Sequence, residues 1–93
     1  MSIQPELAAL RAQMDQVNGR LVDVLHERAR LSRRIGSHKC AEGIAVIDPE
    51  REQVMLQSLL QALPADGFPE ASLTKILRAV FDASRELVAR PHG

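Results

Sequence analysis

The sequence contains no tryptophan, no tyrosine and only two phenylalanines. Stacking platforms for nucleobases are therefore missing, and with them the usual grip on single-stranded nucleic acid. A formal net charge of zero, from 12 basic and 12 acidic residues, supplies no field that would draw the chain to nucleic acid or to an acidic membrane. One cysteine, Cys40, excludes an internal disulfide. No apolar run approaches the roughly 18 residues of a membrane span. The opening residues, Met1-Ser2-Ile3-Gln4-Pro5-Glu6, lack the basic and apolar regions of a signal peptide. His26, His38 and His92 stand at no metal-ligand spacing from Asp, Glu or Cys40. These absences leave a cytoplasmic, soluble chain of 93 residues, one domain at most, whose core must come from Leu, Ile, Val, Met and Ala.

What is present is a long apolar ladder. Leu7, Leu10, Met14, Val17, Leu21, Val24, Arg28, Leu31 and Ile35 alternate spacings of three and four, a heptad-like seam on one continuous helix that runs to Lys39 or Cys40. Pro5-Glu6 puts proline and an acid in its first turn. Gly19 and Gly36 weaken it by about 1 kcal/mol each relative to Ala without ending it. About 34 residues make a helix of roughly 50 Å. A globule of this chain length has a radius of gyration of about 13 Å. The rest of the chain cannot cover such a helix, so the seam predicts a partner helix from a second chain, most simply in a two-fold dimer.

Ala41-Glu42-Gly43 breaks the ladder, and Ile44-Ala45-Val46-Ile47 reads as a short apolar connector. Asp48-Pro49-Glu50 is a strong helix start, with Asp as cap and Pro in the first helical position. A second helix is expected from Pro49 to Leu63, with Met55, Leu56, Leu59, Leu60 and Leu63 on its apolar face. After the turn cluster Pro64 to Pro69, a third helix is expected from about Pro69-Glu70 to Arg90, with Pro91-His92-Gly93 ending it. Its apolar face is Leu73, Ile76, Leu77, Val80, Phe81, Ser84, Leu87 and Val88. The fold class is all-α, with three helices, the first very long.

One rung of the ladder is charged. An arginine directed into a seam needs a neutralising partner, or it costs several kcal/mol, roughly, as a buried unpaired charge. Lys39 follows Arg28 by eleven residues, close to three turns, so both project from nearly the same face and can clasp one small anion. Arg11 is roughly 25 Å from Arg28 along its own helix, but in an antiparallel dimer it reaches the Arg28–Lys39 region of the partner chain. Arg51 and Glu52 in the first turn of helix two, and Ser84 on the apolar face of helix three, fit the walls of such a site.

Each residue also has a plainer reading. Arg28 fits an interhelix salt bridge, Lys39 a cation complementing a helix end, and Arg51 and Glu52 a solvated helix start. Ser84 fits a serine bonded back to its own helix, and Cys40 a structural thiol. Arg30, Arg33 and Arg34 form a basic cluster with the character of a solvent face.

The ordered set resembles the all-helical chorismate mutases over essentially the full length. The resemblance is carried by Leu10-Arg11 with Asp15 and Asn18, by Leu25-His26-Glu27-Arg28, by Ile35-Gly36-Ser37-His38-Lys39, by Asp48-Pro49-Glu50-Arg51-Glu52 and by Phe81-Asp82-Ala83-Ser84. It implies a single mutase-like domain over 1–93, an intertwined homodimer with shared active sites, and rearrangement of chorismate to prephenate in the biosynthesis of phenylalanine and tyrosine. It implies that Arg11 of the partner chain and Arg28 bind one substrate carboxylate, with Arg51 and Ser84 near the second. Lys39 would donate to the ether oxygen, and Asp48 and Glu52 would hold the ring hydroxyl. No metal or cofactor is implied, because the reaction is intramolecular.

Val88 departs from the family pattern. One turn after the serine the family usually carries Gln or Glu, a second donor to the ether oxygen, and valine cannot donate. Loss of one such donor typically costs on the order of 10²-fold in rate. The segments Phe68-Pro69-Glu70 and Ala79 to Ser84 look most like mutase modules joined to DAHP synthase, the first shikimate-pathway enzyme. A second expectation is therefore a weakly active regulatory module that binds chorismate or prephenate for a DAHP synthase. A third keeps the fold and changes the reaction, to isochorismate-pyruvate lyase or aminodeoxychorismate mutase. A purely structural helical dimer is the fourth.

Overall fold

The computed structural model describes residues 4–89, and these form three helices without a strand among them. They are α1 (Pro5–Ala41), α2 (Pro49–Leu59) and α3 (Glu70–Ala89). Arg90, expected as the last helical residue, and Pro91, His92 and Gly93 lie outside the described residues. The chain divides into two compact units, residues 1–31 and 32–93, with the boundary inside α1.

The described part of the first unit is helix throughout from Pro5. Proline stands at the start of α1 and Glu6 in its first turn, where the unpaired N–H groups favour an acid. Helix α1 has 37 residues and buries none of them. Leu7, Leu10, Met14, Val17, Leu21 and Val24 are each between 41% and 60% exposed. The apolar seam is thus helical, as the spacing predicts, and the single chain leaves it uncovered.

The second unit holds the end of α1, the connector, α2 and α3. Its core centres on Leu56 of α2 and Phe81 of α3, the two buried apolar side chains among the described residues. Helix α2 packs on α3. In the same unit, Met55, Leu60, Leu63, Leu73, Leu77, Val80, Leu87 and Val88 are half-buried. Leu59 and Ile76, expected on the apolar faces, are exposed instead.

Helix α1 stops where Gly43 takes a φ of 72°. The Gly43 N–H donates to the Cys40 carbonyl at 3.2 Å, and the Ile44 N–H to the Lys39 carbonyl at 2.8 Å. This left-handed glycine closure satisfies two carbonyls that the helix end leaves over. Helix α2 ends four residues before the expected Leu63. Leu60 caps it with φ −88° and ψ 0°, and Ala62 then adopts a φ of 53°. No helix can continue through a left-handed residue, so the last leucine falls outside the element while staying half-buried.

Candidate active site

Six of the eight residues singled out in the sequence lie in the second unit: Lys39, Asp48, Arg51, Glu52, Ser84 and Val88. Arg11 and Arg28 lie in the first. Arg11 is exposed and Arg28 half-buried.

Lys39 sits in the last turn of α1 and is half-buried. Its own carbonyl is the one bonded by the Ile44 N–H, so the glycine closure fixes the turn from which the ammonium projects. A cation here also complements the partial negative charge of the helix end.

Asp48 performs the capping role its sequence context predicts. Its Oδ1 accepts from the Arg51 N–H at 3.0 Å, and the first helical bond runs from the Glu52 N–H to the Asp48 carbonyl at 3.1 Å. The cap sets the direction of the first turn of α2, and so the placement of Arg51 and Glu52. Arg51 points to solvent, whereas Glu52 is half-buried on the stripe that leads one turn on to Leu56.

On α3, Phe81, Ser84, Arg85 and Val88 share one face through their spacings of three and four. The Ser84 hydroxyl donates to the Val80 carbonyl at 2.9 Å, the back-bonded state open to a mid-helix serine. Val88 is half-buried against α1, where Gly36 exposes bare backbone. A Cβ built on Gly36 would lie 3.2 Å from Val88 Cγ1 and 3.7 Å from Val46 Cγ1. Val46 of the connector thus stands near the same bare stretch of α1.

The sequence reading missed Arg85. Its guanidinium pairs through Nη1 with Oε1 of Glu52 and through Nη2 with Oδ1 of Asp82. It ties the start of α2 to α3 across 33 positions of sequence. The Asp82–Arg85 spacing of three on one helix was a local signal for half of this bridge. The half that reaches Glu52 has no local signature. Among the described residues, no cluster of three or more His, Cys, Asp or Glu side chains is placed to hold a metal ion. No helix among them is long and apolar enough to cross a membrane.

Comparison with known proteins places this arrangement. The family model for chorismate mutase type II matches residues 10–89. Form II of a chorismate mutase from Thermus thermophilus superposes with a TM-score of 0.86 at 35% identity, covering 92% of this chain and 97% of that one. The T-protein of Enterobacter agglomerans is 38% identical over 79 residues, 85% of this chain and 21% of its own length. The bifunctional chorismate mutase/prephenate dehydratase of Aquifex aeolicus is 31% identical over 85 residues, 88% of this chain and 24% of its own length. The chain thus spans about a fifth to a quarter of the length of these two curated relatives. With most of its length matched in each comparison, and a solved mutase covered nearly end to end, the chain belongs to the chorismate mutase type II family.

Proposed function

We propose that this chain, as one mutase domain, rearranges chorismate to prephenate in sites shared between two copies. The observation that carries the reading is the match at TM-score 0.86 to a solved chorismate mutase of which 97% is covered. The uncovered seam of α1 supports the second copy, since a contiguous exposed apolar face of this length is the mark of an interaction surface. Burying that seam against its own antiparallel equivalent would bring Arg11 of one chain to the Arg28–Lys39 region of the other.

The chemistry asks little of the protein beyond shape and charge. In one intramolecular step the ether C–O bond of chorismate breaks while a C–C bond forms to the ring. No proton, nucleophile or redox partner is consumed. Holding the folded conformer removes most of the entropic part of the barrier. Donors aimed at the ether oxygen stabilise the negative charge that grows there. In this reading Arg28 and Arg11 of the partner chain bind one carboxylate as planar forks, and Arg51 and Ser84 lie near the other. Lys39 donates to the ether oxygen, and Asp48 and Glu52 accept from the ring hydroxyl. In this reading the Ser84 hydroxyl exchanges the Val80 carbonyl for an oxygen of the ligand.

The seating of Val88 favours a second reading beside the first. The position of the family's second donor is occupied by an apolar side chain that stands against Gly36. A site so built binds the dianion better than it accelerates its reaction, which suits a regulatory module acting with a DAHP synthase. Loss of chorismate absorbance with purified protein and no added cofactor tests the mutase reading. Absent turnover, with prephenate still raising the melting temperature, assigns the regulatory role. Absence of both defeats either reading.

A further inference from the structure

Arg85 is a charged, half-buried residue that the roles above leave unused. Its two arms differ in their access to water: the Glu52 side chain is 22% exposed, that of Arg85 37% and that of Asp82 61%. Charge interactions are screened most where solvent reaches most freely. Asp82 therefore holds the guanidinium in place on its own helix while adding little field. Glu52 and Arg85 are the more shielded pair, whereas Asp48, which the same reading places at the ring hydroxyl, is exposed. At the Glu52 end of the site the carboxylate is already compensated, and its Oε1 is committed to the guanidinium.

We propose that Arg85 makes this site select a ring hydroxyl over a ring ammonium. The proposal rests on the reading above that Glu52 meets the ring substituent of the substrate. A neutral hydroxyl needs only a hydrogen-bond acceptor, and a carboxylate bonded to an arginine remains one. An ammonium brings a full positive charge and meets a guanidinium of like sign bonded to its own acceptor. Discrimination by a repulsive element of this kind costs the preferred substrate little. A site meant for the ammonium would leave the Glu52 charge uncompensated. Arg85 is thus a specificity-determining residue that acts through Glu52, not a group that touches the reacting atoms.

The test is the ratio of kcat/KM for the 4-amino analogue of chorismate to that for chorismate itself. It is measured in the full chain and in its Arg85→Gln, Arg85→Lys and Glu52→Gln variants, with folding checked by circular dichroism. The ratio rises about tenfold or more in Arg85→Gln, since a nearby like charge is removed. It stays near the wild-type value in Arg85→Lys, which keeps the cation, and falls in Glu52→Gln, which keeps the cation and loses the anion. A merely structural Arg85 would lower both substrates together, and an unmoved ratio in folded Arg85→Gln overturns the assignment. Should that variant not fold, Glu52→Gln decides, and a ratio that does not fall there overturns it equally. If the wild type binds both compounds, read as a rise in melting temperature, but converts neither, the mutase reading fails. The ratio of affinities across the same variants then decides the role of Arg85. If neither compound binds, both proposals fall.

Discussion

Val88 of α3 rests on the bare backbone of Gly36 in α1: a Cβ built on that glycine would stand 3.2 Å from Val88 Cγ1 and 3.4 Å from Val88 Cβ. Of the two glycines that weaken the long helix by sequence criteria, Gly36 is the one that lets α3 approach it. Substituting Gly36→Ala adds helix propensity of about 1 kcal/mol but forces a tight contact whose relief costs roughly 1–3 kcal/mol. The expected net is a loss of about 1 kcal/mol in denaturant unfolding at fixed protein concentration. In a Val88→Ala background the same substitution becomes stabilising by about 1 kcal/mol, because only the propensity remains. Additive effects of the two changes would show that the contact is not limiting.

The same contact bears on rate. Val88→Gln restores a donor at the position where the family usually has one, and turnover is expected to rise about tenfold or more. Replacing a β-branched side chain in a half-buried apolar niche is expected to lower stability by no more than about 1 kcal/mol. A gain in kcat with a small drop in melting temperature is the predicted signature. Wild-type turnover that is already fast, and unmoved by the glutamine, would remove Val88 from the reacting end of the site.

Asp48 has two roles to separate. As the cap of α2 it accepts from the Arg51 N–H, and Asp48→Ala should lose about 1 kcal/mol of stability. Asp48→Asn keeps a capping oxygen and is expected to stay within a few tenths of a kcal/mol of wild type. If Asp48 also holds the ring hydroxyl, the asparagine raises KM for chorismate while leaving the melting temperature in place. Loss of stability and of substrate affinity in strict proportion across both variants would mean that Asp48 acts on the substrate only through the helix it caps.

Much of this architecture is written locally and some is not. The start of α2 is legible because Asp48-Pro49 carries its own capping chemistry within four residues. The end of α1 is legible because Gly43 supplies the left-handed closure. The end of α2 is not, because the left-handed residue there is an alanine, which no sequence rule marks as a stop. Ala62→Gly is accordingly expected to stabilise the chain by up to about 1 kcal/mol, by relieving the cost of a Cβ at positive φ. Thermal unfolding of that variant checks it, and a lower melting temperature would show that the alanine methyl contributes packing worth more than the strain. Arg85 was illegible for another reason. On its own helix it reads as an ordinary surface charge paired with Asp82, and only the packing of α2 on α3 brings Glu52 to its other arm. Arg11, Arg28, Lys39, Arg51, Glu52 and Ser84 stand out by their pattern, Asp48 and Val88 enter the site through the resemblance, and two of the eight, Arg11 and Arg28, lie in a different unit from the rest.

That separation gives the most direct test of a shared site. Arg11→Ala and Lys39→Ala each remove one cation, and each homodimer would lack that cation in both of its sites. A mixed dimer would carry both defects in one site and neither in the other. With subunits exchanging freely at equal concentration, half of the dimers are mixed and each has one intact site of two. Mixing the two inactive proteins should therefore restore about a quarter of wild-type activity. The recovery should depend on protein concentration and be lost when Leu21→Glu, a charge placed in the exposed seam, is added to both partners. If Arg11 served the site of its own chain, every dimer in the mixture would still lack a required cation at each site, and no activity would return.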